Sequence, residues 1–112
     1  MAKVIITSTL EEEINKKFKS QSVGIFLLLK SLEESPSKGK ELGSVGKIVI
    51  KEIKYGKFRF YFITDGYKIK FLRVHELKDI VIKFVRMSDK KEQQKTIDEI
   101  KIVLRSLGEE GF

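Results

Sequence analysis

The segment from Ile48 to Ile63 constrains the fold more than any other part of the chain. It holds two runs rich in β-branched and aromatic residues, separated by Gly56-Lys57. In the second run Phe58, Phe60 and Phe62 recur at every other position, and successive side chains of a strand point to opposite faces of a sheet. The segment therefore predicts a β-hairpin with one aromatic face packed on a core.

Further strands are predicted on both sides of this hairpin. Residues 3–7 form a short apolar run, and residues 80–86 form a longer one. Asp65-Gly66 is typical of a tight hairpin turn, so the alternating residues 67–71 are predicted to form another strand. Residues 35–47 combine a proline and three glycines with polar residues, which predicts a loop.

Three segments have the periodicity of helices. In residues 9–20, Leu10, Ile14 and Phe18 recur every four positions and form one apolar stripe. Residues 23–34 are apolar nearly all round, which predicts a buried helix. Residues 90–107 carry a single stripe, formed by Ile97, Ile100, Leu104 and Leu107.

The order of these elements predicts an α+β fold in which residues 1–112 form a single domain. The first two helices follow each other closely and are expected to form a helical hairpin. We expect that hairpin to pack on one face of a twisted antiparallel sheet, with a C-terminal helix after the last strand. The other face of the sheet would then be free to present lysine, arginine and tyrosine side chains.

The composition excludes several classes of site. The chain has no cysteine and one histidine, His75, so it offers no disulfide, thiolate metal site, cysteine nucleophile or multi-histidine site. No apolar run approaches the roughly 20 residues that span a bilayer, and the N-terminus does not resemble a signal peptide. We therefore predict a cytoplasmic protein without a metal, a cofactor or a membrane partner.

Positive charge is concentrated in the middle of the chain. Residues 38–95 contain 16 Lys or Arg and 7 Asp or Glu, a net charge of +9, while the remaining residues have a net charge of −2. The abundance of Lys, Glu and Ile resembles a thermophile's composition and by itself accounts for many lysines. It does not account for their segregation, which is typical of a surface that binds a polyanion such as RNA.

Three stretches of the sequence form a recognisable pattern. The first runs from Leu32 to Leu42 and contains Pro36 and Gly39-Lys40; the second is Glu52-Ile53-Lys54 followed by Phe58-Arg59-Phe60-Tyr61-Phe62; the third combines Phe84, Lys90-Lys91, Gln94-Lys95-Thr96 and Glu99-Ile100. Together they resemble the RelE/ParE/HigB superfamily of toxin-antitoxin toxins, and the third is similar to phage-derived HigB-type members. Lys54 stands where the family commonly has arginine, and Ile97 where it often has proline.

The resemblance implies a function and a set of residues. It implies a RelE-like fold and a toxin that cleaves mRNA without a metal ion, often on the ribosome, and that is paired with a protein antitoxin. The catalytic residues it implies are Lys54, Arg59 and Lys91. We further predict nucleic-acid contacts by Tyr61, which would stack on a base, and by Lys83, Arg86, Lys90 and Lys95.

Other interpretations of the same residues are open. The lysines and Arg59 also fit solvated strand and helix faces, and Tyr61 fits a cross-strand aromatic contact. At the level of function, the alternatives are a non-catalytic nucleic-acid-binding or regulatory protein on the same fold and a ParE-like topoisomerase inhibitor. A ribonuclease requires Lys54, Arg59 and the lysines of the third stretch to form one compact cluster on an open surface.

Overall fold

The computed structural model describes residues 2–112, apart from the side chain of Val74, and contains one five-stranded sheet. Its strands are β1 (Lys3–Ile6), β2 (Lys40–Val45), β3 (Ile48–Tyr55), β4 (Phe58–Asp65) and β5 (Val81–Asp89), arranged in the order β1-β5-β4-β3-β2. β1 pairs with β5 in parallel, and the other neighbours are antiparallel. The α+β class is confirmed, but the sheet is mixed and not fully antiparallel. Parallel neighbours need a long connection, which the helices and strands between β1 and β5 provide.

Four α-helices accompany the sheet in the described part of the chain. They are α1 (Ser8–Phe18), α2 (Ser22–Lys30), α3 (Gly66–Phe71) and α4 (Gln93–Leu107). The Thr7 hydroxyl accepts a hydrogen bond from the Leu10 N–H at 3.3 Å and caps α1. Gly108, with φ at +69°, ends α4, as its position in the sequence predicts. Within residues 2–112, no helix combines the length and the apolar character needed to cross a bilayer.

The first core lies between the sheet and the α1–α2 pair. Phe60 and Phe62 are fully buried there, and Phe58, which is half-buried, meets Phe18 edge-on with ring centroids 5.0 Å apart. The prediction that the three phenylalanines face the helical hairpin is confirmed. The helices contribute Leu10, Ile14, Ile25 and Leu29 to this core.

The second core lies on the opposite face of the sheet, under α4. Tyr61 and Ile63 alternate with Phe60 and Phe62 along β4, and they pack with Ile50, Val85, Ile97, Ile100 and Leu104. The expectation of a free sheet face is therefore wrong. Ile97, Ile100 and Leu104 of the α4 stripe are buried on the apolar residues that alternate along β3 and β4, whereas Leu107, the last residue of the predicted stripe, is exposed.

Two segments between the major elements differ from their predictions. Residues 40–45, predicted as loop, form the edge strand β2, which is joined to β3 by a turn at Gly46, where φ is +58°. Residues 67–71, predicted as a strand, belong to α3. The Asp65 carboxylate accepts a hydrogen bond from the Lys68 N–H at 3.0 Å and so caps a helix where a hairpin turn was expected.

Candidate nucleic-acid interface

A cleft lies at the end of the sheet where β3 turns into β4. Lys54 and Arg59 are cross-strand partners on either side of this turn. Gly56, with φ at +58°, makes the turn possible in a conformation that other residues rarely adopt. The cleft has a volume of about 420 Å³ and is lined by Lys54, Gly56, Lys57, Arg59, Asp89, Lys90 and Lys91.

The predicted catalytic residues meet in this cleft. Lys54, Arg59 and Lys91 come from β3, β4 and the segment before α4, and the sheet register brings the three segments to one end of the molecule. The predicted RNA-binding residue Lys90 lines the same cleft. Asp89 is the acidic residue among its seven lining residues, against five lysines and arginines. An excess of fixed positive charge in a concave surface favours an anion such as phosphate.

Arg59 is held by a buried carboxylate. Its Nε lies 3.3 Å from Oε2 of Glu52, and the side chains are 12% and 2% exposed respectively. The other Glu52 oxygen, Oε1, accepts a hydrogen bond from the Gln93 amide at 2.9 Å. Within residues 2–112, Arg59 Nε and Glu52 Oε2 are both buried and have no hydrogen-bond partner, so the contact between them is an ion pair without an aligned hydrogen bond. Glu52 therefore fixes the guanidinium at the cleft and offsets part of its charge.

Tyr61 has no access to the cleft. Its side chain is fully buried under α4, and its hydroxyl shares a hydrogen bond of 2.8 Å with the Ser88 hydroxyl. Burial raises the pKa of the Tyr61 hydroxyl, and the bond to Ser88 opposes that rise in part. The prediction that Tyr61 stacks on a base is wrong, because α4 covers the sheet face on which the ring lies.

Lys83 and Arg86 lie on β5 at some distance from the cleft and contact the C-terminal segment. The Lys83 ammonium donates to the backbone carbonyls of Glu109 at 3.2 Å and Phe112 at 3.3 Å. The Arg86 guanidinium donates to the Val85 carbonyl at 2.8 Å and sits 5.1 Å from the centroid of the Phe112 ring. Neither residue lines the cleft, so the structure does not bring them together with Lys54 and Arg59.

Lys95 lines a second, adjoining groove. This groove lies between α1 and α4 at the same end of the sheet. Asp89 lines both the groove and the cleft. The volume of the groove is about 440 Å³, and it is lined by Glu13, Lys16, Lys17, Phe58, Met87, Ser88, Asp89, Glu92, Lys95, Thr96 and Glu99.

Two buried charged residues on β3 escaped the sequence analysis. Glu52 was part of the second stretch but had no predicted role, although its position two residues before Lys54 puts both on one face of the strand. Lys51, only 4% exposed, donates to the Ser37 carbonyl at 3.0 Å. Burial lowers the pKa of Lys51, and Glu41 on the neighbouring strand partly offsets this. No sequence signal distinguishes Lys51 from the exposed lysines around it.

Comparisons with known proteins add no identification, because no family model, curated protein or solved structure matches the chain. Among residues 2–112, no group of three or more His, Asp or Glu side chains is placed to hold a metal ion. The cleft presents lysine ammonium groups, the Arg59 guanidinium and the Asp89 carboxylate to a ligand.

Proposed function

We propose that this chain is an endoribonuclease that binds the backbone of single-stranded RNA in the cleft and cleaves it without a metal ion. The observation that carries the proposal is the convergence of Lys54, Arg59 and Lys91 on one open cleft. Lys54 and Arg59 are cross-strand neighbours in one hairpin, whereas Lys91 comes from a stretch much further along the chain. The position of Lys91 beside this pair supports the proposal, because a solvated segment before α4 has no need to lie there.

Binding would rest on the contrast between Arg59 and the lysines. A guanidinium presents a planar fork that can grip two phosphate oxygens, whereas an ammonium acts as a point charge. Arg59 lines the cleft with its Nε beside Glu52, and in this proposal the terminal nitrogens of its guanidinium bind the phosphate. Lys54, directly opposite Arg59 on β3, would approach the same phosphate from the neighbouring strand.

The chemistry follows from the substrate. The 2′-oxygen of a ribose attacks the adjacent phosphorus, the bond from phosphorus to the 5′-oxygen breaks, and a 2′,3′-cyclic phosphate and a 5′-hydroxyl result. In this proposal Lys54 is the general base that accepts the proton of the 2′-hydroxyl, and Lys91 is the general acid that donates a proton to the leaving 5′-oxygen. Arg59 stabilises the negative charge that develops on the phosphate.

The biological setting we propose is that of a toxin in a toxin-antitoxin pair. The RelE-like fold, the mRNA substrate on the ribosome, the protein antitoxin and the cytoplasmic location all come from the resemblance described above. The mixed α+β fold is compatible with it.

Non-catalytic RNA binding is the second candidate, and two observations favour it. Glu52 offsets the charge of Arg59, and Tyr61 is buried. Both reduce the number of groups that act on a bound phosphate, while the exposed lysines suffice for electrostatic binding.

One experiment separates the two candidates. End-labelled single-stranded RNA is incubated with the purified protein in EDTA, ribosome-bound mRNA is incubated with it in the Mg²⁺ that the ribosome requires, and both binding and cleavage are measured. The proposal predicts products with 2′,3′-cyclic phosphate ends, and slower cleavage by Lys54→Ala and Lys91→Ala but not by Lys3→Ala, an exposed lysine outside the cleft. Binding without cleavage on either substrate would establish the second candidate, and no binding at low salt would exclude both.

A further inference from the structure

The groove beside the cleft has a different character from the cleft itself. Its floor is apolar and includes Phe58 and Met87, and its walls come from α1 and α4. Three lysines and four carboxylates line it, so it lacks the cationic excess of the cleft. A phosphate gains little by entering such a groove. A flat, uncharged ring with polar edges fits it better.

The apolar floor offers a surface for stacking. Phe58 is half-buried, with its edge against Phe18, and the Lys17 ammonium lies 5.0 Å from the centroid of its ring. Lys17 is exposed and flexible, so it can turn aside and uncover the ring. Aromatic rings accept a nucleic-acid base of any type, because every base has a π face.

The walls offer hydrogen-bond acceptors. The side chains of Glu13, Glu92 and Glu99 line the groove and are exposed, so their carboxylates are accessible to a ligand. Asp89 differs, because its carboxylate accepts the Glu92 N–H at 3.0 Å. An ionised carboxylate only accepts hydrogen bonds. It therefore suits the exocyclic amino group of cytosine or adenine and disfavours the carbonyl at the matching position of uracil.

We propose that this groove is a base-recognition subsite for the nucleotide next to the phosphate in the cleft, and that it prefers bases with an exocyclic amino group to uracil. The inference rests on the proposed function, because RNA is the ligand of the neighbouring cleft. The shared border at Asp89 supplies the connection, since a base attached to a phosphate in the cleft needs a pocket directly beside it.

The test uses short 2′-O-methyl oligonucleotides, which bind but cannot be cleaved, in a series that differs only in cytosine or uracil at one position. The unmodified protein is expected to bind the cytosine oligonucleotide roughly tenfold more tightly, the scale of one good base contact. The variant Glu13→Ala/Glu92→Ala/Glu99→Ala should lose that preference. The matched control Glu12→Ala/Glu34→Ala/Glu110→Ala removes the same charge from exposed sites outside the groove and should retain it.

The readout separates this inference from the function on which it rests. Loss of preference together with unchanged or tighter binding of both oligonucleotides supports the subsite. Equal affinities in the unmodified protein at every position, or a preference that survives in the groove variant, would overturn it. Because binding is measured on RNA that cannot react, an inactive protein that still discriminates cytosine from uracil would refute catalysis and retain the subsite.

Discussion

Arg59 and Glu52 form an ion pair beneath the cationic cleft, with Nε and Oε2 3.3 Å apart and the carboxylate side chain 2% exposed. The pair is asymmetric, because Arg59 reaches the cleft and Glu52 does not. An isolated buried charge is costly, so each residue stabilises the other against that cost. The same contact fixes the guanidinium in one position, which suits a group that has to meet a phosphate.

Removing the charge of Glu52 should lower the stability of the protein and raise its affinity for RNA. We expect Glu52→Gln to lower the free energy of unfolding by about 2 kcal/mol, less than a fully buried broken pair would cost, because Arg59 borders the open cleft. RNA should bind more tightly and with a steeper salt dependence, by about −0.7 in logarithmic slope for one more phosphate contact. Urea unfolding and RNA titration at several salt concentrations measure both effects. Glu34→Gln, an exposed change of equal charge, is the control, and tighter binding by that variant to the same extent would contradict the role given to Glu52.

The buried Tyr61 should matter for stability and not for RNA. Tyr61→Phe removes the hydrogen bond to Ser88 and should cost about 1 kcal/mol of unfolding free energy, since Ser88 keeps its bond to the Asp89 carbonyl. RNA affinity at neutral pH should not change. A clear loss of affinity in a folded Tyr61→Phe protein would show that the Tyr61 hydroxyl contributes to RNA binding, contrary to its burial.

Alkaline pH should destabilise the protein in part through Tyr61. Because the pKa of its hydroxyl is raised in the folded state, unfolded chains lose this proton first, at pH values near 10.0. Above that value the folded state holds more protons than the unfolded state, and stability falls by up to about 1.4 kcal/mol per pH unit for one proton. Below it Tyr61 is protonated in both states and adds no pH dependence. Unfolding free energies measured across this range should fall less steeply for Tyr61→Phe, and identical slopes would contradict the assignment.

Gly39 should tolerate substitution poorly, whereas Gly46 should tolerate it better. At Gly39, φ is +107°, and a Cβ atom would lie 2.9 Å from Cζ of Phe62 and 3.1 Å from the Glu52 carbonyl oxygen. At Gly46, φ is +58° and a Cβ atom would meet open space. We expect Gly39→Ala to cost about 3 kcal/mol and Gly46→Ala about 1 kcal/mol of unfolding free energy. Equal costs in chemical denaturation would show that the contact with Phe62 relaxes freely.

The fold could be predicted where the spacing of apolar residues along the sequence matches the side chains that are buried in the structure. The alternation of Phe58, Phe60 and Phe62 identified the face of β4 that meets α1 and α2, and the stripe on α4 identified a buried helix. The stripe alone did not say which face of the sheet it would cover. Asp65-Gly66 was equally compatible with a turn and a helix cap. In the structure the Asp65 carboxylate caps α3, and the Gly66 N–H donates to the Lys47 carbonyl at 2.8 Å.

The sequence allowed the charged residues of the candidate site to be predicted, but not their positions relative to one another. Resemblance selected Lys54, Arg59 and Lys91, which line one cleft, but it also selected Tyr61, which is buried. A tyrosine on an alternating strand fits either an open face or a buried one. The role of Glu52 required the cross-strand register, because its partner Arg59 lies on the next strand.

The most direct measurement is the single-turnover rate of mRNA cleavage on the ribosome for a matched pair of variants, Glu52→Gln and Glu52→Gln/Arg59→Gln. Both lack the buried carboxylate, so neither leaves Glu52 as an unpaired charge, and the pair differs only in the guanidinium. We expect Glu52→Gln to cleave and the double variant, folded by circular dichroism, to be roughly 100-fold slower or more, the scale of losing one donor to a developing anion. A folded double variant that cleaves as fast as Glu52→Gln would refute the catalytic role of Arg59.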